Sequence, residues 1–188
     1  MAMYTIVAPV PENLNTAVEP YRQKYDPLAG LAPPHIPLLE PFQFSLPAEQ
    51  LYAHLSDIGE VYAPIKVFMV GWHVHEGKEY QLQLPMTAGQ PELTALRREL
   101  ATGLLSSLAG SEKPYLPHLV FGRFADSAAL EQAKAALKGF EPQFVFRVSR
   151  LELWQREETN QPWRVEMKFS LKATVAGRGR RERVEGNV

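Results

Sequence analysis

Apolar and polar positions alternate over YTIVAP (residues 4–9) and again over YQLQLP (residues 80–85), and each run stops at a proline. Alternation sends successive side chains to opposite faces, so each run predicts a short strand. The period then turns helical. ENLNTAVEPYRQKYD (12–26) predicts a helix that Pro20 kinks or splits, because proline lacks the amide hydrogen a helix interior needs. PELTALRRELATGLLSSLAG (91–110) predicts a longer one, with Pro91 at its start and Gly110 as its stop. PPHIPLLEPF (33–42) and LPHLVFGRF (116–124) follow the two helices, each reading Pro-His, then apolar residues, then phenylalanine. Helical spacing returns in PAEQLYAHLSDIG (47–59) and DSAALEQAKAALKGF (126–140), where Asp126 suits an N-cap and Gly139 a stop. Long strands are expected over 62–75 and 142–154, hairpin turns at EGKE (76–79) and TNQP (159–162), and a last strand over 163–175.

The order is therefore strand, helix, histidine strand, helix, strand, written twice. That pattern predicts an α+β fold of two lobes, built from pseudo-twofold duplicated β-α-β-α-β units whose antiparallel sheets face a central groove. One domain is expected over residues 1–175, with lobes near 1–78 and 79–175 and exchange of strands between them left open. Residues 176–188 read as a flexible basic tail carrying Arg178, Arg180, Arg181 and Arg183, either solvated or a loose electrostatic hook for RNA. The repeat is approximate, since Tyr4 precedes His35 by 31 residues and Tyr80 precedes His118 by 38. Duplication has a physical consequence: equivalent strands related by a pseudo-dyad deliver one histidine each, His35 and His118, to a shared groove.

Composition narrows the partners. A chain of 188 residues with 45% hydrophobic residues has the size and apolar content of one soluble domain. No apolar run reaches bilayer length, and the start lacks a basic region followed by a long apolar segment, so neither a membrane nor a secretory signal is expected. There is no cysteine, which removes disulfides, thiol nucleophiles and thiolate metal sites and suits a reducing cytoplasm. A net charge of −1 argues against a protein held on duplex DNA by phosphate contacts. No glycine-rich phosphate loop and no Gly-x-Ser-x-Gly elbow occurs. A monomer is expected.

The paired histidine segments resemble the two signatures of the 2H phosphoesterase superfamily, which includes bacterial 2'-5' RNA ligases and RNA 2',3'-cyclic phosphodiesterases. The resemblance in layout runs from about Tyr4 to Leu171 and rests on PPHIPLLEPF and PHLVFGRF. It implies metal-independent chemistry on the 2',3'-cyclic phosphate of an RNA end or small nucleotide. His35 and His118 would share general acid and base duty, with no cofactor. Imidazole suits both tasks near neutral pH. In the family pattern a Thr or Ser two residues after each histidine donates a hydrogen bond to the phosphate. Here those positions are Pro37 and Val120, which cannot donate. Pro37 also argues for an edge or irregular strand. Arg123 is the expected substitute, swung into the groove by a bulge at Gly122. Gln81 and Gln83 are next, on the strand face opposite Tyr80, Leu82 and Leu84, and Tyr115 and Lys113 would line the rim.

Other readings compete. A degenerate relative that binds RNA ends or phosphorylated nucleotides without efficient turnover is the alternative function. His73 and His75 share a strand face, a spacing used by metal sites, with Glu76 or Glu79 nearby, but no third ligand is clearly placed and no metal is assigned. His54 reads as a surface or boundary residue of an amphipathic helix. Phe42 and Phe124 read as core rather than base-stacking rings, and Trp72, Trp154 and Trp163 as packing near hairpin ends.

Overall fold

The structure is a computed structural model that describes residues 2–108 and 114–173. The chain runs β1 (Met3–Pro9), α1 (Glu12–Tyr25), β2 (His35–Gln43), α2 (Ala48–Val61), β3 (Ile65–Val70), β4 (His73–Glu76), β5 (Tyr80–Ala88), α3 (Gln90–Leu100), β6 (His118–Phe124), α4 (Ser127–Ala136), β7 (Gln143–Val148), β8 (Arg150–Arg156) and β9 (Arg164–Ser170). Two antiparallel sheets result. One has the order β2-β1-β8-β9, and in the other β5 pairs β4, β3 and β6 while β3 pairs β7. Pro37 fits this order. It sits in β2, an edge strand, where a missing amide hydrogen costs no central ladder bond.

The duplication is visible in the register. Tyr4 lies opposite Phe42 and Pro9 opposite His35, while Tyr80 lies opposite Phe124 and Pro85 opposite His118. The inward residues of both frames, among them Ile6, Ile36, Leu39, Leu82, Leu84, Leu119 and Phe121, join one apolar core. Phe42 and Phe124 belong to that core, against Tyr4 and Tyr25. The helices cross between the halves: α1 packs on β6 and α3 on β2. The two histidine strands also approach each other, and Tyr115 Oη donates to Pro37 O at 2.8 Å across the gap.

Two expected helices and two expected strands differ. Helix α1 runs unbroken through Pro20, because Pro20 and Thr16, whose carbonyl loses its partner, both face solvent. The helix expected over 91–110 stops at Leu100. Thr102 Oγ1 donates to Glu99 O at 2.7 Å, and Gly103 follows in the left-handed region at φ 53°, so a 3-10 turn (Gly103–Leu108) takes over. Gly110 lies outside the described residues. Neither long strand is continuous. The first bends at Gly71 (φ 69°) into β3 and β4, and the second breaks at Ser149 so that β7 and β8 serve different sheets. Asp126 does cap α4, accepting from Ala129 N at 2.9 Å. The basic tail expected over 176–188 falls outside the described residues. Among the described residues no helix is long and apolar enough to cross a membrane.

Candidate active site

Between the sheets lies a groove of about 710 Å³, well within the size of clefts that hold small ligands. Its lining includes His35, His118, Gln81, Gln83, Tyr115 and Arg123, so six of the seven residues expected from the sequence border one space. Lys113 lies outside the described residues.

The two histidines are held alike. His35 Nδ1 lies 2.8 Å from Pro33 O, and His118 Nδ1 lies 2.7 Å from Leu116 O. A carbonyl only accepts, so each Nδ1 carries the hydrogen and each neutral ring keeps its lone pair on Nε2. The same i to i−2 bond in both halves fixes both tautomers. Trp154, a buried residue, meets the His35 ring edge-on at 4.8 Å and donates through Nε1 to Glu152 Oε2 at 2.9 Å. Trp154 thus backs the His35 ring as well as packing with Trp163 beside the turn between β8 and β9. Burial pushes His35 down to about 4. The bond to Pro33 opposes this, the Arg22 and Arg123 charges add to it, and Asp26 counters them. Burial also lowers His118. Its bond to Leu116 and the Glu40 carboxylate oppose the shift, while His75 and His73 add to it.

The expected bulge is present. The register slips between Leu82 and Gln83, so Phe121 is the extra residue and Gly122 faces Leu82. Strict alternation would have sent Arg123 into the core. The inserted residue reverses the parity and puts Arg123 on the groove face with His118 and Val120. There it is not a free cation. Arg123 Nη1 lies 2.5 Å from Asp26 Oδ1, and Nε lies 3.4 Å from Glu79 Oε1. Asp26 also takes Arg22 Nε at 3.3 Å. Gln83 Nε2 donates to Gln81 Oε1 at 2.9 Å and Gln81 Nε2 to Glu79 Oε1 at 3.0 Å. A polar chain from Gln83 to Arg22 therefore crosses the groove floor.

Other groove residues escaped the sequence reading. Arg97 and Arg156 form no salt bridge among the described residues. Each lies over an aromatic ring, Arg97 over Tyr115 at 5.0 Å and Arg156 over Trp163 at 4.3 Å. No local motif marks them. Arg97 sits beside the Leu93, Leu96 and Leu100 stripe of an ordinary amphipathic helix. His73 and His75 line the groove opposite Gln83 and Gln81, on a face the hairpin register supplies. Among the described residues no group of three or more His, Cys, Asp or Glu gathers as a metal site. Burial and neighbouring His75 lower His73. His54 is tied to Leu100 O at 3.1 Å, between α2 and α3.

Two antiparallel sheets thus bring matched imidazoles to one groove. The chain belongs to the 2'-5' RNA ligase superfamily, whose pattern residues 10–160 match. It is 27% identical over 155 residues to a protein of Bacillus cytotoxicus provisionally named a phosphoesterase, covering 80% of this chain and 86% of that one. A Bacillus cereus protein with the same provisional name matches equally. Among solved structures, TT0787 of Thermus thermophilus superposes with a TM-score of 0.56 at 22% identity, over 90% of this chain and 97% of that one. Apo LigT of E. coli superposes with a TM-score of 0.57 at 17% identity, over 89% and 96%. These two likenesses concern the fold.

Proposed function

We propose that this chain opens 2',3'-cyclic phosphates at RNA ends or on small nucleotides without a metal ion, leaving a 2'-phosphate. The observation that carries this reading is the matched pair His35 and His118, each pinned at Nδ1 and each bordering the same groove. His35 is neutral across the physiological range, which suits the base that takes a proton from water. Burial lowers His118 as well, but the bond to Leu116 and the Glu40 carboxylate oppose that shift, and the acid role falls to it as the partner of His35 across the groove. Water oxygen bonds to phosphorus, its proton passes to His35, the bond from phosphorus to the 3' oxygen breaks, and His118 protonates that oxygen. The same step with a 5'-hydroxyl in place of water forms a bond from phosphorus to the 5' oxygen, breaks the bond to the 3' oxygen and joins the two ends 2'-5'. Arg97, which makes no salt bridge among the described residues, supplies positive charge, Gln81 and Gln83 supply neutral donors, and Arg123 turns its remaining N–H groups toward the phosphate. Complexes of E. coli LigT with 3'-AMP and with phosphate support a nucleotide-sized anion as ligand. The lack of cysteine supports a reducing, cytoplasmic setting.

Purified protein incubated with nucleoside 2',3'-cyclic phosphates and EDTA is expected to release 2'-nucleotides. His35→Ala or His118→Ala should each lower kcat by at least about a hundredfold, the scale of general acid–base catalysis. No turnover, or turnover indifferent to His118→Ala, removes the enzymatic reading.

A second reading, a module that binds phosphorylated ends without efficient chemistry, is favoured by Pro37 and Val120, which line the groove and donate nothing. A hydrogen bond to a charged group is worth roughly 1.5–3 kcal/mol, about ten- to a hundredfold in rate. The catalytic reading therefore expects Pro37→Thr with Val120→Thr to accelerate turnover. Ligand binding with activity still at zero in that variant would favour the binding module.

A further inference from the structure

The end of the groove beside His35 carries groups that the chemistry above leaves unused. The Trp163 backbone N–H donates to Leu31 O at 2.8 Å, which pins the turn between β8 and β9 onto the loop that precedes His35. Its indole packs on the small cluster of Val7, Ala32 and Trp154, and Trp154 in turn touches the His35 ring. The indole thus stands about one side chain away from the proposed base. Trp163 also walls two spaces at once, the groove and a more open recess of about 310 Å³.

Arg156 completes the arrangement. Its guanidinium lies 4.3 Å over the indole and is oriented by Nη1 donating to Thr159 O at 2.8 Å. Its Nε is buried with no hydrogen-bond partner among the described residues, and no carboxylate there pairs with it. A guanidinium held over an aromatic ring, with N–H capacity unused, is costly to keep for packing alone. It is the platform on which unpaired bases stack in nucleic-acid sites. The corresponding pair beside His118 differs, because the Tyr115 hydroxyl is committed to Pro37 O in bridging the two histidine strands.

We propose that Arg156 and Trp163 form a nucleobase subsite, stacking the base of the nucleotide whose phosphate lies at His35 and His118. This rests on the reading that a nucleotide phosphate occupies the groove. Stacking uses the face every base possesses, so the subsite favours nucleotides over ribose or inorganic phosphate with little choice among bases.

Calorimetric titration of the full chain with 3'-AMP, 3'-UMP and inorganic phosphate tests it. Both nucleotides should bind at least about tenfold more tightly than inorganic phosphate, and Trp163→Ala or Arg156→Ala should weaken them by roughly ten- to a hundredfold. Inorganic phosphate should respond far less. Trp163→Phe, which keeps a ring and the packing, should retain most of the affinity and serves if the alanine variants do not fold. Equal affinity for 3'-AMP and inorganic phosphate, or an equal loss for both in Trp163→Ala, overturns the subsite. Strong preference for 3'-AMP over 3'-UMP would overturn stacking as its basis. Binding decides these outcomes, so failure of the cyclic phosphates to turn over would count against the catalytic reading and not against this one.

Discussion

Asp26 takes three donors at once: Arg22 Nε, Arg123 Nη1 and the Leu28 backbone N–H at 3.0 Å. Its side chain is 1% exposed and that of Arg22 3%. Arg22 further donates to Ala32 O at 2.7 Å, so this carboxylate holds the loop before His35 and the bulged strand after His118 in one frame. Breaking a buried ion pair by removing one partner leaves an uncompensated charge and costs about 3–5 kcal/mol. Asp26→Ala is therefore expected to lower the urea-unfolding free energy by that amount, or Tm by roughly 10 °C. A loss below about 1 kcal/mol, typical of exposed pairs, would mean that solvent screens the cluster. None of this was legible in the sequence. Arg22 is a helical neighbour, but Arg123 lies 97 positions away, and nothing near Asp26 announces the meeting. His35 and His118 were legible for the opposite reason: a repeated local context stands in for the missing distance.

Elements were read well where one local signal dominated. Alternation marked β1 and β5, although β5 continues past Pro85 to Ala88 instead of stopping there, and the capping Asp126 ahead of an alanine-rich run marked α4. The errors arose where a local competitor outweighed periodicity. The apolar spacing of α3 continues past Leu100, yet the Thr102 hydroxyl and the left-handed Gly103 close the helix there. The break at Ser149 is set by sheet membership, which no run of letters encodes. Gly59 shows the same limit. Its helical position predicts a gain of about 1 kcal/mol on replacement by alanine. A Cβ there, however, would stand 2.6 Å from Ser170 O, where α2 meets the end of β9 and Lys172 N donates to Gly59 O at 2.9 Å. Overpacking against backbone costs typically about 1–3 kcal/mol. Gly59→Ala should accordingly destabilise the protein in thermal or urea melts despite its better helix propensity. A stabilised variant would show that α2 shifts freely on β9.

At the scale of the whole molecule, the site exists because two edge strands meet. β2 and β6 each lie at the margin of a sheet, and the crossing of α1 onto β6 and α3 onto β2 presses those margins together. Closure leaves the imidazoles half-buried, and their partial removal from water couples the fold to pH. His35 falls to about 4 from its ordinary 6.5, and burial lowers His118 and His73 as well. Between those limits the unfolded chain binds protons at these positions that the folded one refuses. The unfolded state then holds more protons, so stability rises with pH through this window and is lost as pH falls from about 6.5 toward 4. Carboxylates titrate in the same range, so the slope of the native protein alone does not isolate the histidines. The comparison with His35→Gln does. The variant has no proton to refuse, and its stability should fall less steeply between about pH 7 and about pH 4.5. The stability gap between native protein and variant should therefore shift in the variant's favour as the solution is acidified, read from urea melts at the two pH values. A gap that stays constant would mean that the His35 ring is protonated as readily in the folded groove as in water, and the base assigned to the proposed reaction would then not be poised neutral by its surroundings.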